Sequence, residues 1–136
     1  MREIKFRGKT KDGQWIEGVP IKNGFGKLAF ICVAITDNLS CPMEKIHNFC
    51  KEVIPQTVTQ YTGLKDMNGV EICEGDIVKG CFETGRFLLG SIVYEKAIAA
   101  FVISPTDVPI FKFPLPEIYY PEVIGNIYEN PELMEG

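Results

Sequence analysis

Histidine occurs once in this chain, at His47, and tryptophan once, at Trp15. A nucleophilic relay would therefore have to run through His47, with Cys50 three residues on as its partner if residues 42–53 were helical. No orienting group or oxyanion site accompanies that pair, so a packed cysteine beside a surface histidine is the expected arrangement. Five cysteines (Cys32, Cys41, Cys50, Cys73 and Cys81) form no CxxC pair and are odd in number. A disulfide framework is not expected, and a reducing cytoplasm is the expected setting. Cys32, Cys41, His47 and Cys50 carry zinc-type atoms, but gaps of eight, five and two intervening residues match no common zinc ribbon or finger.

Long apolar runs are also missing. The longest, residues 28–35, has eight residues, against roughly 20 needed to span a bilayer. The opening residues lack an apolar h-region, so neither a membrane span nor a signal peptide is expected. No Walker pattern and no GxGxxG occurs, and Gly24-Phe25-Gly26-Lys27 is a short hairpin tip before a strand. An EF-hand counted from Asp66 meets Asn68 at position 3 but Val70 at 5, Glu71 at 6 and Ile77 at 12, which excludes calcium chemistry of that kind.

Basic charge runs out along the chain. Residues 1–27 hold seven Lys/Arg and three acids, whereas residues 28–136 hold seven Lys/Arg and fifteen acids. The last 24 residues have five glutamates and no basic side chain. Such a surface repels phosphate backbones. Nucleic-acid contact would fall to Arg2, Lys5, Arg7, Lys9 and Lys11, which equally suit an acidic surface of the same or a neighbouring subunit.

What is present reads as β structure. Residues 2–7 alternate apolar and charged side chains, Lys11-Asp12-Gly13 is a turn, and residues 14–19 form the return strand. Further strands are expected at 28–35, 53–61, 77–82, 87–94, 97–103 and 123–128. Asn68-Gly69 is the strongest hairpin signal, and Gly75-Asp76 suits a bend into a strand. Met43, Ile46, Phe49, Cys50 and Val53 recur at helical spacing and Pro42 is compatible with a first helical position, but the 42–53 segment stays ambiguous between helix and strand. Asn130-Pro131 is read as a cap and first turn at the end of the chain. Five prolines between 105 and 121 suggest a loop or interrupted edge, in which Phe111, Phe113, Tyr119 and Tyr120 form a candidate interface.

Three blocks of residues carry a likeness to a known family. They are Arg2-Glu3-Ile4-Lys5-Phe6-Arg7-Gly8-Lys9, Gln60-Tyr61-Thr62-Gly63-Leu64-Lys65-Asp66 with Asn68-Gly69 and Glu74-Gly75-Asp76-Ile77-Val78, and Val123-Ile124-Gly125-Asn126-Ile127-Tyr128-Glu129-Asn130-Pro131-Glu132-Leu133. In content and order they resemble the YopX-like family of small phage and prophage proteins. The resemblance implies a mainly-β fold, with a β-rich part over residues 1–61 and an SH3-like small barrel over 62–136, or one integrated domain over 1–136. It also implies phage origin and action in a bacterial host cell. It transfers no catalytic, cofactor-binding or metal-ligating residue, so no cofactor is expected.

The expected role is a non-enzymatic accessory protein that works by binding, as a homo-oligomer or with a host or phage protein. The alternatives are nucleic-acid binding through the basic first segment and a metal-dependent hydrolase using Asp66, Glu71, Glu74 and Asp76. Turn chemistry alone explains that acidic cluster more simply.

Overall fold

Alternation puts Lys5, Arg7 and Lys9 on one side of the first strand and Phe6 and Gly8 on the other. The computed structural model describes residues 4–22, 28–33, 49–107 and 111–135. The chain divides into two compact units, Met1–Tyr61 and Thr62–Gly136.

In the first unit, β1 (Phe6–Lys9), β2 (Trp15–Lys22), β3 (Ala29–Cys32), β4 (Cys50–Val53) and the start of β5 (Thr59–Lys65) pair in the order β4-β3-β2-β1-β5. All of these pairings are antiparallel. The β1–β2 turn closes through the Thr10 N–H on the Gln14 carbonyl, 2.8 Å, with Gly13 at φ 93°. Ala29, Ile31 and Val53 are buried together, with Ile16, Val33 and Val58 packed around them. Gly8 is kept small by this core: a Cβ there would lie 2.8 Å from a Val53 methyl.

The ambiguous 42–53 segment ends as a strand. Cys50–Val53 is extended and pairs with β3, Cys32 opposite Cys50 and Ala29 opposite Val53. Spacing of three and four is ambiguous in so short an apolar stretch, and ladder hydrogen bonds to a neighbouring strand decide it. The remainder of that segment, with Cys41 and His47, lies outside the described residues. Between β4 and β5, in a stretch read as β-rich with Pro55 at an edge or strand entry, Pro55–Thr57 forms a 3-10 turn. The Thr57 hydroxyl ties it down, accepting the Lys9 N–H at 2.8 Å.

In the second unit, the rest of β5 lies beside β6 (Glu71–Cys73). A five-stranded antiparallel sheet follows: β7 (Asp76–Cys81), β8 (Phe87–Glu95), β9 (Ala100–Pro105), β10 (Phe113–Pro114) and β11 (Tyr119–Asn126). Its order is β10-β9-β8-β7-β11. The first four strands meander, a 3-10 turn at Leu115–Glu117 follows, and β11 returns to pair with β7. The protein is thus mainly β. Among the described residues no closed barrel is present, because β10 and β11 stand at opposite ends of the strand order.

Ile72, Val78, Ile92, Ile103 and Leu115 are at most 2% exposed and share one core with Leu88 and Ile118. Burying each of them is worth about 1.5–3 kcal/mol. Phe113 joins the edge of this core, its ring 4.8 Å from that of Phe82 in an edge-on arrangement.

Two boundaries differ from the sequence expectation. The β8–β9 connection takes residues 96–99, with Ala99 at φ 51°, so β9 begins at Ala100; no glycine or asparagine marks that turn. The last strand starts at Tyr119 and runs through Pro121, which an edge strand tolerates because one flank needs no donors. Asn130 and Pro131 open the final turn, Pro131–Met134, as expected, but the Asn130 side chain makes no capping hydrogen bond. Its side-chain oxygen accepts the Asn126 N–H instead, 3.2 Å away.

Candidate functional site

The acidic stretch 65–76 has the first claim on chemistry, and its geometry is that of a fastening. Asp66 Oδ1 accepts the N–H groups of Asn68 (2.8 Å) and Val70 (2.9 Å), closing the turn that contains Asn68-Gly69. Asp66 Oδ2 accepts the N–H of Val123 in β11 at 3.0 Å, and the Met67 N–H reaches the Pro121 carbonyl at 2.8 Å. One buried carboxylate thus closes a local turn and clips it to a strand 57 residues away. Burial pushes its pKa up, but the three N–H donors of Val123, Val70 and Asn68 outweigh that and hold the carboxyl below the usual carboxylate range.

Asp76, only 1% exposed, accepts the Cys73 N–H at 2.8 Å across the Glu74-Gly75 turn. Gly75 sits at φ 90° with its N–H on the Ile92 carbonyl, 2.8 Å. The Tyr128 ring covers it so closely that a Cβ would lie 2.9 Å from the ring. Glu71 and Glu74 are half-buried. Among the described residues no group of three or more His, Cys, Asp or Glu side chains is arranged to hold a metal ion.

The closing block is built the same way. Asn126 Oδ1 accepts the N–H groups of Tyr128 (3.0 Å) and Glu129 (2.9 Å). Gly125 makes room for Asn130, whose side-chain oxygen would be 2.6 Å from an added Cβ. Upstream, the Thr62 hydroxyl donates to the Ile72 carbonyl at 2.7 Å, and Gly63 takes φ 89° between half-buried Thr62 and exposed Leu64 on β5. Thr62, Asp66, Gly75, Asp76, Asn126 and Asn130 therefore all act on the backbone of the second unit, the last two beside Pro131.

Lys5 and Arg7 of the first segment are engaged within their own unit. The Arg7 guanidinium lies over the Trp15 ring, 4.5 Å from its centroid, and its Nε donates to the Thr59 hydroxyl at 3.4 Å. Lys5 sits 5.3 Å from the Tyr61 ring centre and 3.6 Å from the Glu17 carboxylate. Lys9 is half-buried and Lys11 exposed. Arg2 lies outside the described residues.

A concave surface occurs on the second unit. Lys79 and Cys81 of β7, Phe87 and Leu89 of β8, and Glu122 and Ile124 of β11 point away from the core that holds Val78, Leu88 and Val123. Together with Met67 and Tyr120 they line an open, mainly apolar groove of about 690 Å³. Phe87 is 86% exposed, Tyr120 73% and Met67 54%. Lys79 and Glu122 pair across it at 3.5 Å, and each is solvated enough that the pair adds little stability. Tyr120 lies where the β7–β11 register slips, at φ 52°, a conformation that bulky side chains rarely adopt. Gly80 permits the slip, since a Cβ there would run into Ile118.

A smaller hollow of about 230 Å³ shares Phe87, Leu88 and Asp107 and is lined also by Arg86 and Phe111. Of the aromatic residues singled out in the sequence, Tyr120 lines the groove, Phe111 the hollow, and Tyr119 is half exposed beside Cys81. Phe113 turns into the core. Sequence reasoning missed Phe87 and Met67. The sign was there in outline: Phe87-Leu88-Leu89 places apolar side chains on both faces of one strand.

The family model for the YopX protein matches residues 5–135, nearly the whole chain. The chain belongs to the YopX family. A search of the curated proteins finds no match. Among solved structures, this YopX-family chain is similar to the protein EF1440 from Enterococcus faecalis, known from a crystal structure. The two are 25% identical, with 98% of this chain and 99% of that one covered and a TM-score of 0.56.

Proposed function

We propose that this YopX-family chain is a non-enzymatic binding and assembly protein, a phage accessory protein acting in the host cytoplasm, and that it associates with copies of itself. One observation carries the reading: Phe87, Tyr120 and Met67 stand exposed around a single open groove of the second unit. Exposed aromatic and methionine side chains gathered on one surface mark contact sites, where their burial supplies most of the binding energy. The outward twist of Tyr120, held at positive φ, keeps an aromatic ring in solvent at a conformational cost, which contact with a partner offsets. The charge division supports association between copies, because the basic first segment of one complements the acidic remainder of another.

The second unit fits an SH3-like small barrel opened between β10 and β11. Its four-strand meander, its 3-10 turn and the return of β11 to β7 support that assignment. Such sheets serve many roles, so the groove and not the fold supports the binding role.

Light scattering of the chain at micromolar concentration tests this. A mass at least twice 15.3 kDa is expected. The double variant Phe87→Ser with Tyr120→Ser should return a monomer whose far-ultraviolet circular dichroism matches that of the wild type. A wild-type monomer would sink the assembly reading. Retention of nucleic acid at low salt, lost on reversing the charges of Lys9 and Lys11, would replace it with the basic-segment reading.

A further inference from the structure

The β3–β4 ladder places two cysteines opposite each other, Cys32 facing Cys50. Both are thiols. The next residues along, Val33 and Phe49, are joined by a hydrogen bond from the Val33 N–H to the Phe49 carbonyl, 3.1 Å. Hydrogen-bonded and non-hydrogen-bonded pairs alternate along an antiparallel ladder, which makes Cys32 and Cys50 a non-hydrogen-bonded pair. In such pairs the two side chains leave the same face of the sheet and the Cα atoms lie about 4.5 Å apart. That is within the range of roughly 4.4–6.8 Å that a disulfide spans, and at its short end.

We propose that Cys32 and Cys50 form a reversible disulfide site, closed by exchange with a small disulfide such as glutathione disulfide. Exposure sets the order of events. Cys32 is 0% exposed, whereas Cys50 is half-buried and reachable from solvent. The Cys50 thiolate attacks one sulfur of glutathione disulfide, forming a mixed disulfide and releasing one glutathione thiolate. The Cys32 thiolate, directly opposite, then attacks the Cys50 sulfur and releases the second glutathione. Two protein thiols are oxidised and one glutathione disulfide is reduced to two glutathione molecules, with two protons transferred to the departing thiolates. The bond ties the ends of the 33–49 segment across neighbouring strands. Excess reduced glutathione reopens it by the same exchange run in reverse.

The test treats the folded chain with glutathione disulfide, then unfolds it, alkylates the remaining thiols and maps the peptides by mass. The expected result is the loss of two alkylatable thiols, an intact mass lower by about 2 Da, and a linked peptide pair containing Cys32 and Cys50. Reduced glutathione should restore both thiols. Cys41→Ser should behave as wild type, which separates this site from the third cysteine of that region. Cys50→Ser should leave Cys32 fully alkylatable. A link from either residue to Cys41, a bond between two chains, or a stable glutathione adduct that stops at Cys50 would each overturn the proposal. Should Cys50→Ser fail to fold, the wild-type and Cys41→Ser maps decide it alone.

Discussion

Replacing Asp66 by alanine removes one acceptor from three backbone donors, and the three losses are unequal. The Asn68 and Val70 N–H groups lie in an exposed turn, where water takes over much of what the carboxylate supplied. The Val123 N–H lies in β11, and its partner is Asp66 Oδ2. A hydrogen bond to a charged group is worth about 1.5–3 kcal/mol, and a buried donor left without a partner costs about 1–3 kcal/mol. Counting the strand contact in full and the two turn contacts at a fraction gives about 2–4 kcal/mol for Asp66→Ala at neutral pH.

The carboxyl titrates below its ordinary value of 3.8 in the folded chain. Its contribution is therefore fully present above the unfolded pKa and is lost as pH falls through the folded one. Urea unfolding followed by far-ultraviolet circular dichroism should show a wild-type-to-variant gap that is constant from pH 7 to about pH 5 and narrows below about pH 4. Amide exchange at Val123 gives the local readout and should accelerate more than exchange at Val78 on the neighbouring strand. Trp15 fluorescence is the wrong probe, because the only tryptophan lies in the other unit. A gap below about 0.5 kcal/mol at pH 7, or one unchanged at acid pH, would refute the claim that the carboxylate clips the turn to β11.

Gly69 and Gly75 both take positive φ, yet only Gly75 lies under a ring. Gly69→Ala should cost about 1 kcal/mol from backbone conformation alone, and Gly75→Ala about 2–4 kcal/mol, with Tyr128→Ala recovering part of the difference in thermal melts of the double variant. The Glu95 carboxyl is held below its usual range, first by the hydrogen bond from Lys112, 2.8 Å away, and then by the Ala97 N–H. In Lys112→Ala its NMR titration midpoint should move up towards the ordinary value of 4.5, and an unmoved midpoint would remove Lys112 as the cause.

Turns were the most legible part of the chain, because their chemistry is carried by adjacent residues. The chain turns at Lys11-Asp12-Gly13 and at Asn68-Gly69 as expected, with Gly13 at φ 93° and Gly69 at φ 82°, although Asn68 is not at positive φ and the second turn is not type I′. The positions of most strands followed from alternation and β-branched content. The 50–53 strand did not, since Cys50 and Val53 also fit helical spacing and only pairing with β3 separates the two. The groove was legible only in part. Tyr120 stood out as an aromatic among prolines, but Phe87 lay in an apolar run, and nothing local says which of its neighbours faces inward.

Local chemistry, then, determined by itself the mainly-β character, the bends at Gly69 and Gly75, and the three blocks that place the chain in its family. Each depends on dihedral preferences and side-chain types within a few residues. Tertiary structure alone decided that β11 returns to β7, that Asp66 spends one oxygen on Val123, that Phe113 turns inward while Phe87 turns outward, and that Cys32 meets Cys50. All of these are register questions between distant segments. A slip of one residue in a strand exchanges its two faces, and only the buried core and the partner strand forbid the slip.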